Sequence, residues 1–250
     1  MSTYFVTGSS RGIGLALAGL LASKPDISKV FASARSETDS VKKLVSESNG
    51  KVTFVKLDVT SADSIKEAAS QVGKALDGTG LDVLINNAGV MPFTPNGLET
   101  MNDLDEVFKI NVTSVHNTTA AFLPLLKKGN LKKVINVSTT LGSIAKAQDF
   151  AVMPAPAYKI TKAALNMLTV QYALSFAKEG FTFVALTPGW IKTDLGGSHA
   201  DLSIEQGVNG VYDVVVRVNK EDNGKFFNIH VPGWENADGP NQYDGKEVSW

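Results

Sequence analysis

The sequence predicts an α/β fold: a doubly wound parallel sheet of about seven strands, helices on both faces, in a single Rossmann-type domain. Three observations predict it. Short β-rich runs alternate with longer helical segments along most of the 250 residues, an order that right-handed crossovers convert into a parallel sheet. Most strand-like runs are continuously apolar rather than alternating, which is expected when helices cover both faces. No composition break, internal repeat or low-complexity stretch divides the chain, and 43% hydrophobic residues suffice for one sizeable core.

In order, strands are expected at residues 4–7, 29–34, 52–57, 83–86, 133–137, 182–186 and 225–229. Helices are expected between them at 12–22, 39–47, 62–76, 104–126, 157–177 and 204–218. The tail from residue 232 is rich in Gly, Asn and Pro and is expected to be loop. Ligands of such sheets bind outside the carboxyl ends of the strands, so the informative residues should follow strands.

Composition removes several function classes. Lys plus Arg number 24 and Asp plus Glu 25, a formal charge of -1. That gives no basic field for nucleic acid or anionic membrane. The absence of cysteine excludes disulfides, thiolate zinc and a cysteine nucleophile. His116, His199 and His230 lie far apart without paired spacing, so no metal site is expected. Met1-Ser2-Thr3 leads straight into a strand-like run, and no apolar stretch approaches the ~20 residues of a membrane helix. The expectation is a soluble, cytoplasmic protein.

The first strand runs into Thr7-Gly8-Ser9-Ser10-Arg11-Gly12-Ile13-Gly14 and then a helix. Glycine permits a tight turn and close approach of backbone to a ligand, and free amides at a helix start attract phosphate. The same letters satisfy G-x-S-x-G, the nucleophile elbow of serine hydrolases, with Ser10 as nucleophile. An elbow this early would precede the sheet that must hold its oxyanion loop, and neither His199 nor His230 has a supporting motif. Phosphate binding is the stronger reading.

The second strand ends in Ala34, where an acid would mark an NAD site, and Arg35 follows. Arginine accommodates a 2′-phosphate, through paired hydrogen bonds that Arg11 in the glycine loop could also supply. The two arginines favour NADP(H) over NAD(H). Further on, Tyr158 and Lys162 stand four residues apart, on one face of a helix. A phenol ordinarily titrates near ~10, and an ammonium one turn away would stabilise its anion.

Together with Asn86-Asn87-Ala88-Gly89 after the fourth strand and Pro188-Gly189 after the sixth, these motifs make the chain resemble the short-chain dehydrogenase/reductase family. The resemblance runs from Thr7 to about Gly197. Within the family, the stretches Val134-Ile135-Asn136-Val137-Ser138, Pro188 to Gly197 and Tyr243-Asp244-Gly245 are most similar to sniffer-type carbonyl reductases and to fungal ketoreductases.

The resemblance implies roles. Tyr158 exchanges a proton with the carbonyl or alcohol oxygen, Lys162 lowers the tyrosine pKa and holds the nicotinamide ribose, and Asn111 positions the lysine through water. Gly8, Ser10, Gly12, Ile13 and Gly14 would meet the pyrophosphate; Asp58 and Val59 the adenine; Asn87, with Ala88 and Gly89, the adenine ribose region. Ile191 and Thr193, after Pro188 and Gly189, would approach the carboxamide and phosphates. One departure matters: the family's substrate-binding serine falls on Thr139, with Ser138 just before it. Threonine keeps the hydroxyl, and its extra methyl narrows the site.

Residues 146–155 look like an added loop, and Met91, Pro92, Phe93, Met153 and Trp190 would wall an apolar substrate site. The expected function is reduction of a lipophilic or aromatic ketone, aldehyde or quinone with NADPH. Its competitors are an NADPH-binding sensor or scaffold without turnover and, remotely, the Ser10 hydrolase. Apolar excess on the helices at 104–126 and 157–177 points to a homodimer or homotetramer.

Overall fold

Seven strands join edge to edge with every neighbouring pair parallel, in the order β3-β2-β1-β4-β5-β6-β7. They are β1 (Ser2–Val6), β2 (Ile27–Ala34), β3 (Val52–Lys56), β4 (Val83–Asn86), β5 (Lys133–Val137), β6 (Thr182–Thr187) and β7 (Phe226–Asn228) in a computed structural model describing residues 1–250. The chain winds outward through β2 and β3, then returns to the middle at β4 and winds the other way. The switch point therefore lies at the carboxyl ends of β1 and β4, where the glycine loop begins.

Alternate strand residues feed two cores. Phe5, Phe31, Leu84, Val134 and Phe183 lie in register across the sheet and face one side. There they pack on α3 (Ala62–Ala75), α5 (Ser114–Lys128) and α6 (Pro156–Phe176) through Ile65, Val72, Phe122, Leu126 and Ala173. On the other side Tyr4, Val6, Val30, Ile85, Ile135 and Val184 meet Leu17 and Leu21 of α1 (Gly12–Ser23) and Val211 and Val215 of α7 (Ile204–Arg217). Each fully buried Leu, Val or Phe contributes about 1.5–3 kcal/mol. Double-sided burial is why these strands read as unbroken apolar runs. The remaining helices are α2 (Asp39–Glu47), capped by the Thr38 hydroxyl, and α4 (Leu104–Phe108).

One expectation needs correcting. The single helix foreseen at 104–126 is α4, a π-helical turn (Lys109–Thr113) and α5. The wider turn carries Asn111, whose amide reaches out to Val90; one widened turn leaves the apolar spacing too little changed to be read from sequence. The tail from residue 232 is loop, as expected, and it is held in place. It folds back against β7 in antiparallel bridges, Phe227 opposite Glu247 and His230 opposite Asp244. Backbone bonds from Asn228 to Lys246 (2.9 Å) and from Val248 to Phe226 (2.7 Å) hold it there.

Candidate active site

A cleft of about 720 Å³ runs along the carboxyl ends of six strands. At its centre is the turn after β1. Gly8 (φ +71°) and Gly12 (φ +55°) take backbone conformations that favour glycine. A Cβ on Gly8 would stand 2.9 Å from the Ala88 Cα, so the β1 and β4 turns touch only because that residue has no side chain. Arg11 precedes α1 without capping it. The first amides of α1 therefore have no side-chain partner at the cleft, the arrangement that suits an anion. Gly8, Ser10, Arg11, Gly12 and Ile13 line the cleft.

Gly14, placed among the ligand-binding residues from sequence, does not line it. A Cβ there would lie 2.4 Å from the Gly8 carbonyl oxygen and 2.6 Å from the Asn87 amide nitrogen; its part is to let α1 pack under the loop. Asn87 does reach the cleft, but its side chain donates to the carbonyls of Thr7 (2.9 Å) and Gly8 (3.2 Å). It braces the glycine loop. Ala88 and Gly89 line the cleft beside it, and the Ala88 amide donates to the Thr7 hydroxyl at 3.0 Å.

Arg35, Asp58 and Val59 line one end. Hydrogen bonds from the Thr60 side chain and amide, with weaker help from the Arg35 charge, hold the Asp58 carboxyl below its ordinary value. Asp58 is thus a turn residue that also faces the cleft. Arg11 reaches over the mouth to Asp194 at 2.9 Å, with both side chains largely exposed.

At the other end α6 presents Tyr158 and Lys162, both buried. Pro156 opens that helix, where its missing N–H costs nothing. Lys162 Nζ donates to the Val137 carbonyl (2.7 Å) and stands 5.6 Å from the Tyr158 ring centre. Burial depresses the lysine from 10.5 to about 8. Burial also pushes the Tyr158 phenol above its ordinary value, opposed by a hydrogen bond to the Thr139 side chain. Desolvation thus acts against the acidifying effect expected of the ammonium.

The structure separates the two hydroxyls that sequence left in competition. Ser138 Oγ donates to Asn166 Oδ1 at 2.6 Å and is committed to α6. Thr139 Oγ1 accepts from the Leu141 amide (3.3 Å), and its side chain acts on the Tyr158 phenol, opposing the upward shift. Asn111 lies wholly buried behind Gly89, outside the cleft wall. Its Oδ1 accepts from the Val90 amide (2.9 Å), and its Nδ2 donates to the Val90 carbonyl (2.9 Å) and to Thr161 Oγ1 (3.1 Å). It ties the β4 turn to α6, and its direct bonds go there rather than to Lys162.

Pro188, Gly189, Ile191 and Thr193 line the cleft after β6, as do Met91, Met153 and Trp190. Pro92 and Phe93 do not, and Phe93 is 55% exposed: the wall turns outward after Met91. Phe150 and Val152 of the added loop stand in their place, with Leu141 and Leu195. No histidine lines the cleft. His116 meets Tyr172, and His230 meets Glu235, so Ser10 has no base beside it. Sequence reasoning missed Asn166, although it sits one turn beyond Lys162 on the same helix. It also missed Asn241 and Tyr243 as wall residues, since nothing in the tail fixes where it folds back.

A cleft at the switch point, a glycine turn over a helix start and a buried Tyr–Lys pair define an oxidoreductase of the nucleotide-binding α/β kind. The model of the short chain dehydrogenase family matches residues 2–201, and the chain belongs to that family. A short-chain dehydrogenase/reductase of Aspergillus aculeatus is 37% identical over 213 residues, 80% of this chain and 79% of that protein. The NADPH-bound carbonyl reductase from chicken fatty liver is similar in structure, with TM-score 0.87 and 33% identity, over 100% of this chain and 99% of that one. The carbonyl reductase Sniffer of Drosophila melanogaster is similar at TM-score 0.85 and 25% identity, again over 100% and 99%.

Proposed function

We propose that this oxidoreductase reduces a lipophilic or aromatic ketone, aldehyde or quinone to its alcohol, using NADPH. The observation that carries the proposal is the convergence of Tyr158, Lys162 and Thr139 at the apolar end of a cleft whose far end carries Arg35. The residues fit the cofactor. Gly8 and Gly12 hold the turn over the start of α1 with its first amides free of side-chain partners, and no acid stands at Ala34 to repel a 2′-phosphate. The turn from Gly8 to Ile13 would hold the pyrophosphate, Arg35 with Arg11 the 2′-phosphate, and Asp58 and Val59 the adenine. Lys162 would hold the nicotinamide ribose, and Ile191 and Thr193 the carboxamide side. When bound, the nicotinamide supplies the hydride.

The chain's own work is orientation and a proton. Thr139 and Tyr158 offer two hydroxyls to a single carbonyl oxygen, and Tyr158 Oη gives up its proton as the alcohol forms. A buried phenol with a raised pKa is protonated at neutral pH, the form a donor needs. Met91, Phe150, Met153 and Trp190 exclude water and favour an apolar substrate. We further propose a homo-oligomeric, cytoplasmic enzyme. Ile160, Met167 and Leu174 leave an exposed apolar stripe along α6, and no helix is long and apolar enough to cross a membrane. Sedimentation showing only monomer at micromolar concentration would refute the oligomer.

The deciding assay follows NADPH consumption with a panel of ketones, aldehydes and quinones. Turnover with an aromatic carbonyl, lost about 100-fold or more in Tyr158→Phe while NADPH still binds, is the expected result. NADPH binding without consumption of any carbonyl would instead identify a sensor.

A further inference from the structure

The tail reaches the cleft through one hydroxyl. Tyr243 Oη accepts a hydrogen bond from the Trp190 backbone amide (3.1 Å) and donates to Asp201 Oδ2 (2.6 Å). Asn241 Nδ2 donates to the same carboxylate oxygen at 2.9 Å. The Tyr243 ring is buried, lies against Trp234 (5.5 Å between centres) and covers Gly189, where a Cβ would come within 3.0 Å of it. Burial and the Asp201 carboxylate both push the phenol above its ordinary value, so it keeps its proton and can donate.

Trp190 begins the loop of residues 190–196. The loop is closed by its own bonds, Trp190 Nε1 to the Gly196 carbonyl (2.7 Å) and the Gly196 amide to Thr193 Oγ1 (3.1 Å). Its carbonyl side is tied to Leu202 (Leu202 amide to the Trp190 carbonyl, 3.0 Å; Lys192 amide to the Leu202 carbonyl, 2.9 Å), and the Tyr243 hydroxyl holds its first amide. Beyond Tyr243 the same tail bonds to the segment that follows the β5 turn. The Ser143 hydroxyl donates to the Ser249 carbonyl (2.6 Å), and the Ala145 amide to the Trp250 carbonyl (2.9 Å). Ser143 lies four residues past Thr139.

We propose that Tyr243 is a positioning residue: through the Trp190 amide it fixes the loop carrying Ile191 and Thr193, and so sets how tightly the cleft holds NADPH. The assignment rests on the proposed function for its ligand and on geometry alone for the loop. Phenylalanine would fill the same space and remove both bonds, leaving the Trp190 amide without its partner.

The test compares wild type with Tyr243→Phe by three readouts. Hydrogen exchange at the Trp190 amide should lose protection. The Kd for NADPH, from nucleotide fluorescence, should rise about three- to tenfold, the size of one lost hydrogen bond. The KM for NADPH should follow Kd, with kcat within about twofold of wild type. Asp201→Asn, which keeps an oxygen to accept from Asn241, should add nothing further to Kd in the Tyr243→Phe background, because toward the loop the carboxylate acts through the hydroxyl. Unchanged Trp190 protection, an unchanged Kd in the folded variant, or additive effects of the two substitutions would each overturn the assignment. A wild-type protein that fails to bind NADPH overturns the proposed function instead, and the exchange comparison still decides whether Tyr243 holds the loop.

Discussion

Two adjacent hydroxyls just past the end of β5 point to different partners and so do different work. Ser138 is bonded to Asn166, whereas the Thr139 side chain acts on the Tyr158 phenol. Thr139→Ala should lower kcat about 10- to 100-fold with little change in melting temperature. Ser138→Ala should leave kcat within a few-fold but cost about 1–3 kcal/mol of stability, by orphaning the buried Asn166 oxygen. Steady-state kinetics beside thermal melts reads both, and the opposite pattern would reassign the role. Lys162 makes a second residue-scale prediction. Its folded pKa, about 8, lies below the ordinary 10.5, so folding favours the neutral amine. The stability this group contributes is present above about pH 10.5 and lost as pH falls through about 8. Cofactor-free Lys162→Met, freed of a buried ammonium, should melt higher than wild type at pH 7, by about 2–4 °C per kcal/mol recovered. The gap should close by about pH 10. Equal melting at pH 7 would mean the ammonium is better solvated than its burial implies.

Elements hold these residues in place by close approach. The turn after β5 packs on α6 at Gly142, where a Cβ would lie 2.7 Å from Lys162 Cβ and 2.8 Å from its carbonyl carbon. Asn166 Nδ2 donates to the Gly142 carbonyl across the same contact (3.3 Å). Gly142→Ala should push residues 139–142 away from the helix, costing about 1–3 kcal/mol and at least tenfold in kcat, because Thr139 moves with the turn. Melting and turnover should fall together; a stable, fully active variant would show that the turn can relax without carrying Thr139. Asn111 works at the same scale, since the π-helical turn is what brings its amide to both Val90 and Thr161. Its residue type was legible in the sequence. Its partners were not, because a widened turn leaves no mark in the apolar spacing.

At the scale of the whole molecule, the winding of the sheet gathers loops from six strands and the tail into one cleft. Arg35→Asp should raise the KM for NADPH about 10- to 100-fold and spare that for NADH, the size of a lost charge-assisted hydrogen bond. An unchanged KM for NADPH would remove Arg35 from the 2′-phosphate site. The sequence by itself determined the succession of strands and helices along the chain, the glycine turn, the Tyr158–Lys162 face and the family. These are local patterns, set by side-chain period and by residues a few positions apart. Only the tertiary structure decided that Gly14 and Asn87 brace the loop, that Ser138 turns to Asn166, that Phe93 faces outward and that Tyr243 closes the wall. Each depends on contacts between segments distant in the chain, and no local spacing records which distant groups will satisfy one another's hydrogen bonds.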